Sequence, residues 1–549
     1  MKTLYPSFVV ASLSIVFISG CITLQEKLGP SLSISGNTDY GEIWQGDTVT
    51  KTLVIKNRGD ATATGINLQI PMGYVSTTGT TLSDLAAKDS VTFQVSFIPP
   101  ASGTYNNDLV VKYNNNTDLA TRALTGKAWG KIWDKVFGGN NSDGVITIIP
   151  SVDGGYLIGG YSYSGISGDK TQTAKGESDY WVVKINANGD KEWDKTYGGD
   201  QHDILTSIIA TSDGGFILGG YSHSSASTDK SENSKGDNGS SDYWIVKINS
   251  NGDKQWDKVL GGYSFDNLRS IIPTSDGGYL LGGDSSSGIG ADKTEASKGS
   301  TDFWVLKINA NGIKVWDKTY GGDRPDQIYR MITTADGGFL LTGTSASGVG
   351  GDKTQPSIGE EDIWIVKINA SGNKQWDKVF GGNKSEYISS IISSSDGNYI
   401  LGATSSSSNS RDKTQPSRGE NDFWTLKITP NGDKIWDKTW GGNSFENLTS
   451  VAPIGNEDWF VAGSSNSTLS GDRTRLARAN PDFWILKITA NGEKKWDKAF
   501  GGGSNESLNA IATTADNGFL LAGTSNSNLG NDKSQSSRGS VDFWVIKIK

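Results

Sequence analysis

The tripeptide Trp-Asp-Lys begins at Trp133, Trp193, Trp256, Trp316, Trp376, Trp436 and Trp496, spaced 60 residues apart except for one step of 63. A second string, Asp-[Phe/Tyr/Ile]-Trp, recurs on the same period, with its tryptophans at Trp181, Trp244, Trp304, Trp364, Trp424, Trp484 and Trp544. A tandem period of this kind restricts the chain to folds in which each copy is one supersecondary unit that buries its apolar face only against its neighbours. Between residues 328 and 380 one period reads as four short runs, IYRMITTA, FLLTGTS, DIWIVKIN and KQWDKVF. They are rich in β-branched and aromatic residues and bounded by Gly, Asn and Asp, which is the signature of strands joined by turns. No run has apolar spacing that suits a helix, so the period is all-β.

The order of the two strings then matters. Trp-Asp-Lys comes first in the chain, in KIWDKVFGG, and Asp-Phe-Trp comes last, in the terminal VDFWVIKIK. The final copy lacks its fourth strand, and that strand was made ahead of the first copy. A solenoid would need capping repeats. Sharing one unit between the two ends instead removes the open sheet edges. The expectation is a seven-bladed β-propeller over residues 128–549, with the terminal strands sharing one blade.

Residues 1–20 hold one Lys and an apolar stretch, read as a signal peptide. The ISGC that follows resembles the lipobox of prokaryotic lipoproteins, and that resemblance implies lipidation of Cys21, the sole cysteine of the chain. Residues 21–30 form a tether. Residues 31–127 read as an immunoglobulin-like β-sandwich of about seven strands, among them SLSIS, VTKTLVIKN and INLQI. Alternation is plain in VTFQVSF and LVVKY. The stretch TLVIKNRGDATATGINLQI resembles surface domains of the adhesion-associated, bacterial immunoglobulin-like type.

With a formal charge of −9 and no basic stripe, the chain offers nothing to nucleic acid. His202 and His223, the only histidines, lack a ligand-like or orienting partner in the sequence and read as loop polars. NANGD resembles part of a calcium loop without its bidentate Glu, so no metal and no cofactor are expected. SDGG partly resembles the Asp box of sialidases, but the aromatic follows Gly directly. INANGDKEWDK resembles the Gly-to-Trp motif of pyrroloquinoline-quinone-type propellers with a shorter turn. Over the repeat region as a whole, W-D-K, S-D-G-G and D-F-W resemble the tandem repeats of large secreted and cell-surface proteins of bacteria and archaea.

Seven-fold repetition assigns Asp134, Lys184 and their equivalents to holding the blades. Candidate sites are then departures from the repeat on the face that carries the long loops. One is the insertion at Asp237 and Asn238. The other is RTRLARANP, where Arg473, Arg475 and Arg478 suit a carboxylate or anionic glycan. The expected function is a membrane-anchored, extracytoplasmic binding or scaffolding module for a protein or glycan ligand, with a monomeric propeller and no catalytic residue assigned. The alternatives are a carbohydrate hydrolase or lyase, for which Glu232, Glu295, Glu360 and Glu361 supply carboxylates, and an envelope-assembly propeller lipoprotein.

Overall fold

The computed structural model describes residues 28–236, 239–455, 458–478 and 481–549. The chain divides into two compact units, one ending at Lys131 and including Lys549, the other Ile132–Ile548. Every element is a strand, and among the described residues there is no helix, hence none long and apolar enough to cross a membrane. Cys21, with the signal peptide and most of the tether, lies outside the described residues.

The first unit holds β1 (Leu32–Ser35), β2 (Asp39–Trp44), β3 (Val49–Asn57), β4 (Ile66–Gln69), β5 (Tyr74–Ser76), β6 (Thr81–Leu82), β7 (Ser90–Phe97), β8 (Gly103–Thr104), β9 (Asn107–Tyr113) and β10 (Asp118–Trp129). One sheet runs β1-β3-β7-β5 and the other β2-β10-β9-β4-β6, with β8 on β10. Among the described residues ten strands stand where about seven were expected, because β5, β6 and β8 are too short to leave a periodic signal. The inward positions Leu53, Ile55, Phe93, Val95, Phe97, Leu109 and Val111 form the core. Asn57, fully buried, fixes the loop after β3: its Nδ2 donates to the carbonyls of Ala61 (2.8 Å) and Leu85 (3.0 Å), and its Oδ1 accepts from the Gly59 N–H (3.0 Å).

Among the described residues, the repeat region forms seven four-stranded sheets. The fourth is representative: Asp326–Thr333, Phe339–Ser345, Asp362–Ile368 and Lys374–Phe380 pair in antiparallel succession. Its first strand begins two residues ahead of the apolar run, since Asp326 pairs with Ser345 and Gln327 with Thr344. The seventh sheet takes Glu506–Thr513, Phe519–Ser525 and Asp542–Ile548 from the end of the chain and Lys131–Phe137 from ahead of the first sheet.

Third strands are buried along their whole length, save for Lys307 in the third sheet, because both faces are covered by neighbouring sheets. Each Asp-aromatic-Trp aromatic packs on the tryptophan of the next sheet. Tyr180 meets Trp244 with centroids 4.8 Å apart, and Tyr243 meets Trp304 at 4.9 Å. By the same contact Phe543 of the seventh sheet meets Trp181 of the first at 4.8 Å. Such pairs add about 0.5–1.5 kcal/mol each beyond their burial. At the short-turn end the Trp-Asp-Lys indole lies on the turn glycine of the following sheet. Gly372 has φ 79°, and a Cβ there would sit 3.0 Å from the Trp316 ring, so only glycine fits on both counts.

Deleting residues 541–549 removes the strand that Lys131–Phe137 pairs with. The expected outcome is a lower unfolding midpoint and concentration-dependent aggregation in light scattering, because two sheet edges open. A monodisperse deletion variant with an unchanged midpoint would contradict this.

Candidate functional site

The long loops, between second and third strands, and the Gly-Gly loops, between a fourth strand and the next first strand, lie together at one end of the sheets. The Asp169 N–H donates to the Gly138 carbonyl at 2.8 Å, and the Gly138 N–H donates to the Asp169 carboxylate at 3.1 Å. Each Asp-Lys-Thr loop turns its lysine inward. Lys353 Nζ donates to Ser345 Oγ (2.6 Å), the Ser347 carbonyl (2.8 Å) and Ser357 Oγ (2.6 Å). The acids that open the first and third strands of its sheet, Asp326 and Asp362, are fully buried and act on this one ammonium, which burial pushes down to about 8. Two carboxylates therefore share one cation in each sheet, and across sheets they also face each other. Burial, with Glu386 of the fifth sheet beside it, raises Asp362 to about 7.

The arginine loop departs from the expectation placed on it. Arg473 occupies the lysine position of the sixth sheet and is 2% exposed. Its guanidinium donates to the Ser465 carbonyl (3.2 Å), the Asp482 carboxylate (3.3 Å) and the Arg475 carbonyl (3.1 Å). It is a buried framework residue, not an exposed one. Arg478 Nε lies 3.1 Å from Asp532 of the seventh sheet, as Arg538 lies 2.7 Å from Asp169 of the first, so it clasps one sheet to the next. Arg475 and Arg478, with Leu476, Ala477, Lys498 and Ala499, do line a cleft of about 360 Å³. Asp237 and Asn238 lie outside the described residues. The loop glutamates are engaged separately: Glu232 with Lys235 and Lys258 (both 3.1 Å), Glu295 with Lys318 (2.7 Å), Glu360 with Ser385 (3.2 Å).

What the structure brings together instead is a row of rings at this loop end. Tyr163 faces His202 with centroids 6.1 Å apart, His202 faces His223 at 6.5 Å, and His223 faces Phe265 at 6.4 Å. The row crosses the first three sheets. Each member sits just past a second strand or just before a first strand, where rigid pairing holds the backbone. Tyr163 is 39% and Phe265 52% exposed. His202 is steadied by the Glu177 carboxylate on Nε2 and by Ser178 Oγ, 3.0 Å from Nδ1. His223 Nδ1 lies 3.0 Å from the Gly239 carbonyl, a contact in which Nδ1 is the donor. Below the row, Tyr161 lies edge-on to Tyr163 at 5.9 Å and its ring covers Gly144, where a Cβ would be 2.4 Å away. Tyr221 stands beneath His223 at 6.1 Å, with the Arg269 guanidinium 5.9 Å above its ring. Sequence reasoning passed over both histidines as loop polars. In register with the repeat, they fall on the same positions as Tyr163 and Phe265, and that was the available signal.

A CARDB family model matches residues 29–118. The first unit is thus an immunoglobulin-like CARDB domain. Over 214 residues the chain is 23% identical to the regulatory protein FlaEY of Caulobacter vibrioides, an alignment spanning 37% of this chain and 22% of that protein. Among solved structures, BBS1N in complex with ARL6DN aligns at 11% identity and TM-score 0.38, covering 76% of this chain and 96% of that one. A Synechocystis apocarotenoid oxygenase aligns at 12% identity and TM-score 0.36, covering 71% and 87%. Likenesses at this level carry no argument about function.

The buried carboxylates set a pH dependence. Burial raises Asp203, Asp302 and Asp542 to about 6 and Asp242, Asp362 and Asp422 to about 7, against about 3.9 unfolded. A raised folded value means stability that is complete below the unfolded value and lost as pH rises through the folded one. Asp213, Asp276 and Asp336, lowered to about 2, act oppositely and lose their contribution as pH falls below about 4. The unfolding midpoint of the second unit is therefore expected to peak at about pH 4–5 and fall toward both pH 3 and pH 8. Calorimetry that finds a higher midpoint at pH 7.5 than at pH 5 would count against it.

Proposed function

We propose that the second unit is a seven-bladed β-propeller closed by its shared terminal blade, and that the chain is anchored through Cys21 to an extracytoplasmic membrane face and binds a glycan at the row from Tyr163 to Phe265. Closure is supported by one aromatic contact repeated at six junctions, the fourth sheet having Ile363 in its place, with Phe543 on Trp181 among them. The extracytoplasmic setting is supported by the CARDB match and the lipobox-like ISGC.

The observation that carries the binding reading is the row itself. Sugars are held by exposed apolar ring surface with polar groups at its edges, and rings fixed by a sheet need little further ordering on binding. Here two histidines, Glu177 and Ser178 supply the polar edges. Phe445 holds the register of Phe265 in the sixth sheet, but it has no ring partner among the described residues. A continuous platform therefore exists at the first three sheets.

On a glycan array, the double substitution Tyr163→Ala, Phe265→Ala is expected to weaken binding up to about tenfold per ring. The unfolding midpoint should barely move, because both rings are exposed. Undiminished binding by the double variant would remove the row from the site. Cys21→Ser is expected to shift the protein from the membrane to the soluble extracytoplasmic fraction. Retention of that variant on membranes in high salt would exclude the lipid as the sole anchor.

A further inference from the structure

Six of the seven first strands carry a small residue at their fifth position, Thr147, Ser207, Ser270, Ser390, Ser450 and Ala510, whereas the fourth sheet has Arg330. The residue before it is the extra one of a β-bulge, since the register shifts between Ile328 and Arg330, as it does between Leu268 and Ser270 in the third sheet. Bulges re-aim side chains and gather near functional sites. Where the small residue is serine it can seal the junction between sheets: Ser207 Oγ accepts the Ile271 N–H at 3.2 Å and Ser390 Oγ accepts the Val451 N–H at 3.1 Å. Arg330 replaces that short hydroxyl with a long cation.

The charge of that cation is not balanced. Arg330 Nη1 donates to the Tyr329 carbonyl at 2.9 Å, and among the described residues no carboxylate pairs with it. Its charged neighbour is Arg269, whose own guanidinium is taken by Asp284 at 2.9 Å. Arg330 is half-buried, and desolvation and the Arg269 charge both press its pKa down. Elsewhere the framework answers an enclosed cation with acid, as Arg473 is answered by Asp482 and Lys353 by Asp326 and Asp362. An arginine cannot shed its proton to escape such a position. The groups that lead toward it run on from the aromatic row: His223 meets Tyr221, Tyr221 meets Arg269, and the Arg269 charge acts on Arg330. Because the first strands of consecutive sheets adjoin, this path descends along the inner strands of the propeller.

We infer that Arg330 is an anion-recognition residue: the glycan held at the aromatic row carries a carboxylate, as a uronic acid does, and that carboxylate docks on the Arg330 guanidinium. This rests on the propeller and glycan-platform reading above and names the chemical class of its ligand. Guanidinium and carboxylate form charge-assisted hydrogen bonds in a planar, two-point geometry.

The test uses the full chain, wild type and Arg330→Ser, which restores the residue of the neighbouring repeats. Each is titrated calorimetrically with a uronic-acid oligosaccharide, with the same oligosaccharide after carboxyl reduction, and with sodium acetate as a free carboxylate. Wild type is expected to prefer the acidic oligosaccharide by about tenfold or more. Arg330→Ser should lose that preference, and without ligand its unfolding temperature should not fall below that of wild type, because a half-buried charge with no carboxylate partner is gone. Equal binding of acidic and neutral oligosaccharides by wild type would overturn the inference and leave the platform standing. So would a preference that survives in Arg330→Ser, or a lowered midpoint. If neither oligosaccharide binds but acetate binds wild type and not Arg330→Ser, the platform fails, and the arginine is a site for free small carboxylates.

Discussion

The Trp-Asp-Lys carboxylate is the interaction on which the second unit depends. In the fourth sheet Asp377 accepts the Trp364 indole N–H at 3.1 Å, the Thr354 N–H and hydroxyl at 2.9 Å each, and Lys374 Nζ at 2.8 Å. One buried anion thus fastens the central strand, the outer strand and the long loop. Burial works against its charge, but the hydrogen bonds from Lys374, Thr354 and Trp364 prevail and hold its pKa below the usual range. Removing it would orphan an indole and a backbone donor and leave the ammonium with the Asp352 carbonyl alone.

The same hub joins the two ends of the chain. Asp134 accepts the Trp544 indole at 3.1 Å and the Ser534 N–H at 2.8 Å, the former across 410 residues of sequence. Closing a loop of that length costs about 5 kcal/mol in chain entropy, more than one hydrogen bond returns. The seventh sheet therefore adds further ties. Gln535 Oε1 accepts the Val136 N–H at 2.9 Å, and Arg538 donates to the Val136 carbonyl at 2.7 Å while pairing with Asp169. The ladder of hydrogen bonds between the terminal strands and the Phe543–Trp181 contact complete the set.

The sequence made much of this framework legible because the repeat is a register as well as a composition. In the fourth period the strands Phe339–Ser345 and Lys374–Phe380 coincide with their apolar runs, and the first strand starts earlier only because Asp326 and Gln327 are polar residues that still pair. In the first unit β7 and β9 were visible by alternation, while β5, β6 and β8 exist only by pairing with neighbours. The candidate site was less legible. Exposure was inferred for Arg473 from its place in a long loop that departs from the repeat, although its alignment with Lys353 and Lys413 in the Asp-Lys-Thr loop marks an inward position. His202 and His223 looked isolated because their partners, Tyr163 and Phe265, belong to adjacent sheets and meet them only after those sheets pack.

Departures from the repeat divide by what they do to the fold. Arg473 for lysine keeps a cation between Asp482 and Glu446. Ile358 stands where neighbouring loops carry the clasping cation, so the Asp412 carboxylate keeps the Gly381 N–H at 3.3 Å without an arginine or lysine across that junction. Both substitutions are absorbed by a framework with six further copies of the same contact. Gly144 and Arg330 differ in kind. One removes a side chain so that the Tyr161 ring can lie across the first strand, and the other introduces a charge that the surrounding sheets leave unanswered. A repeat array absorbs drift in single copies, but a ring laid over a glycine and a guanidinium with no carboxylate partner among the described residues are not of that kind.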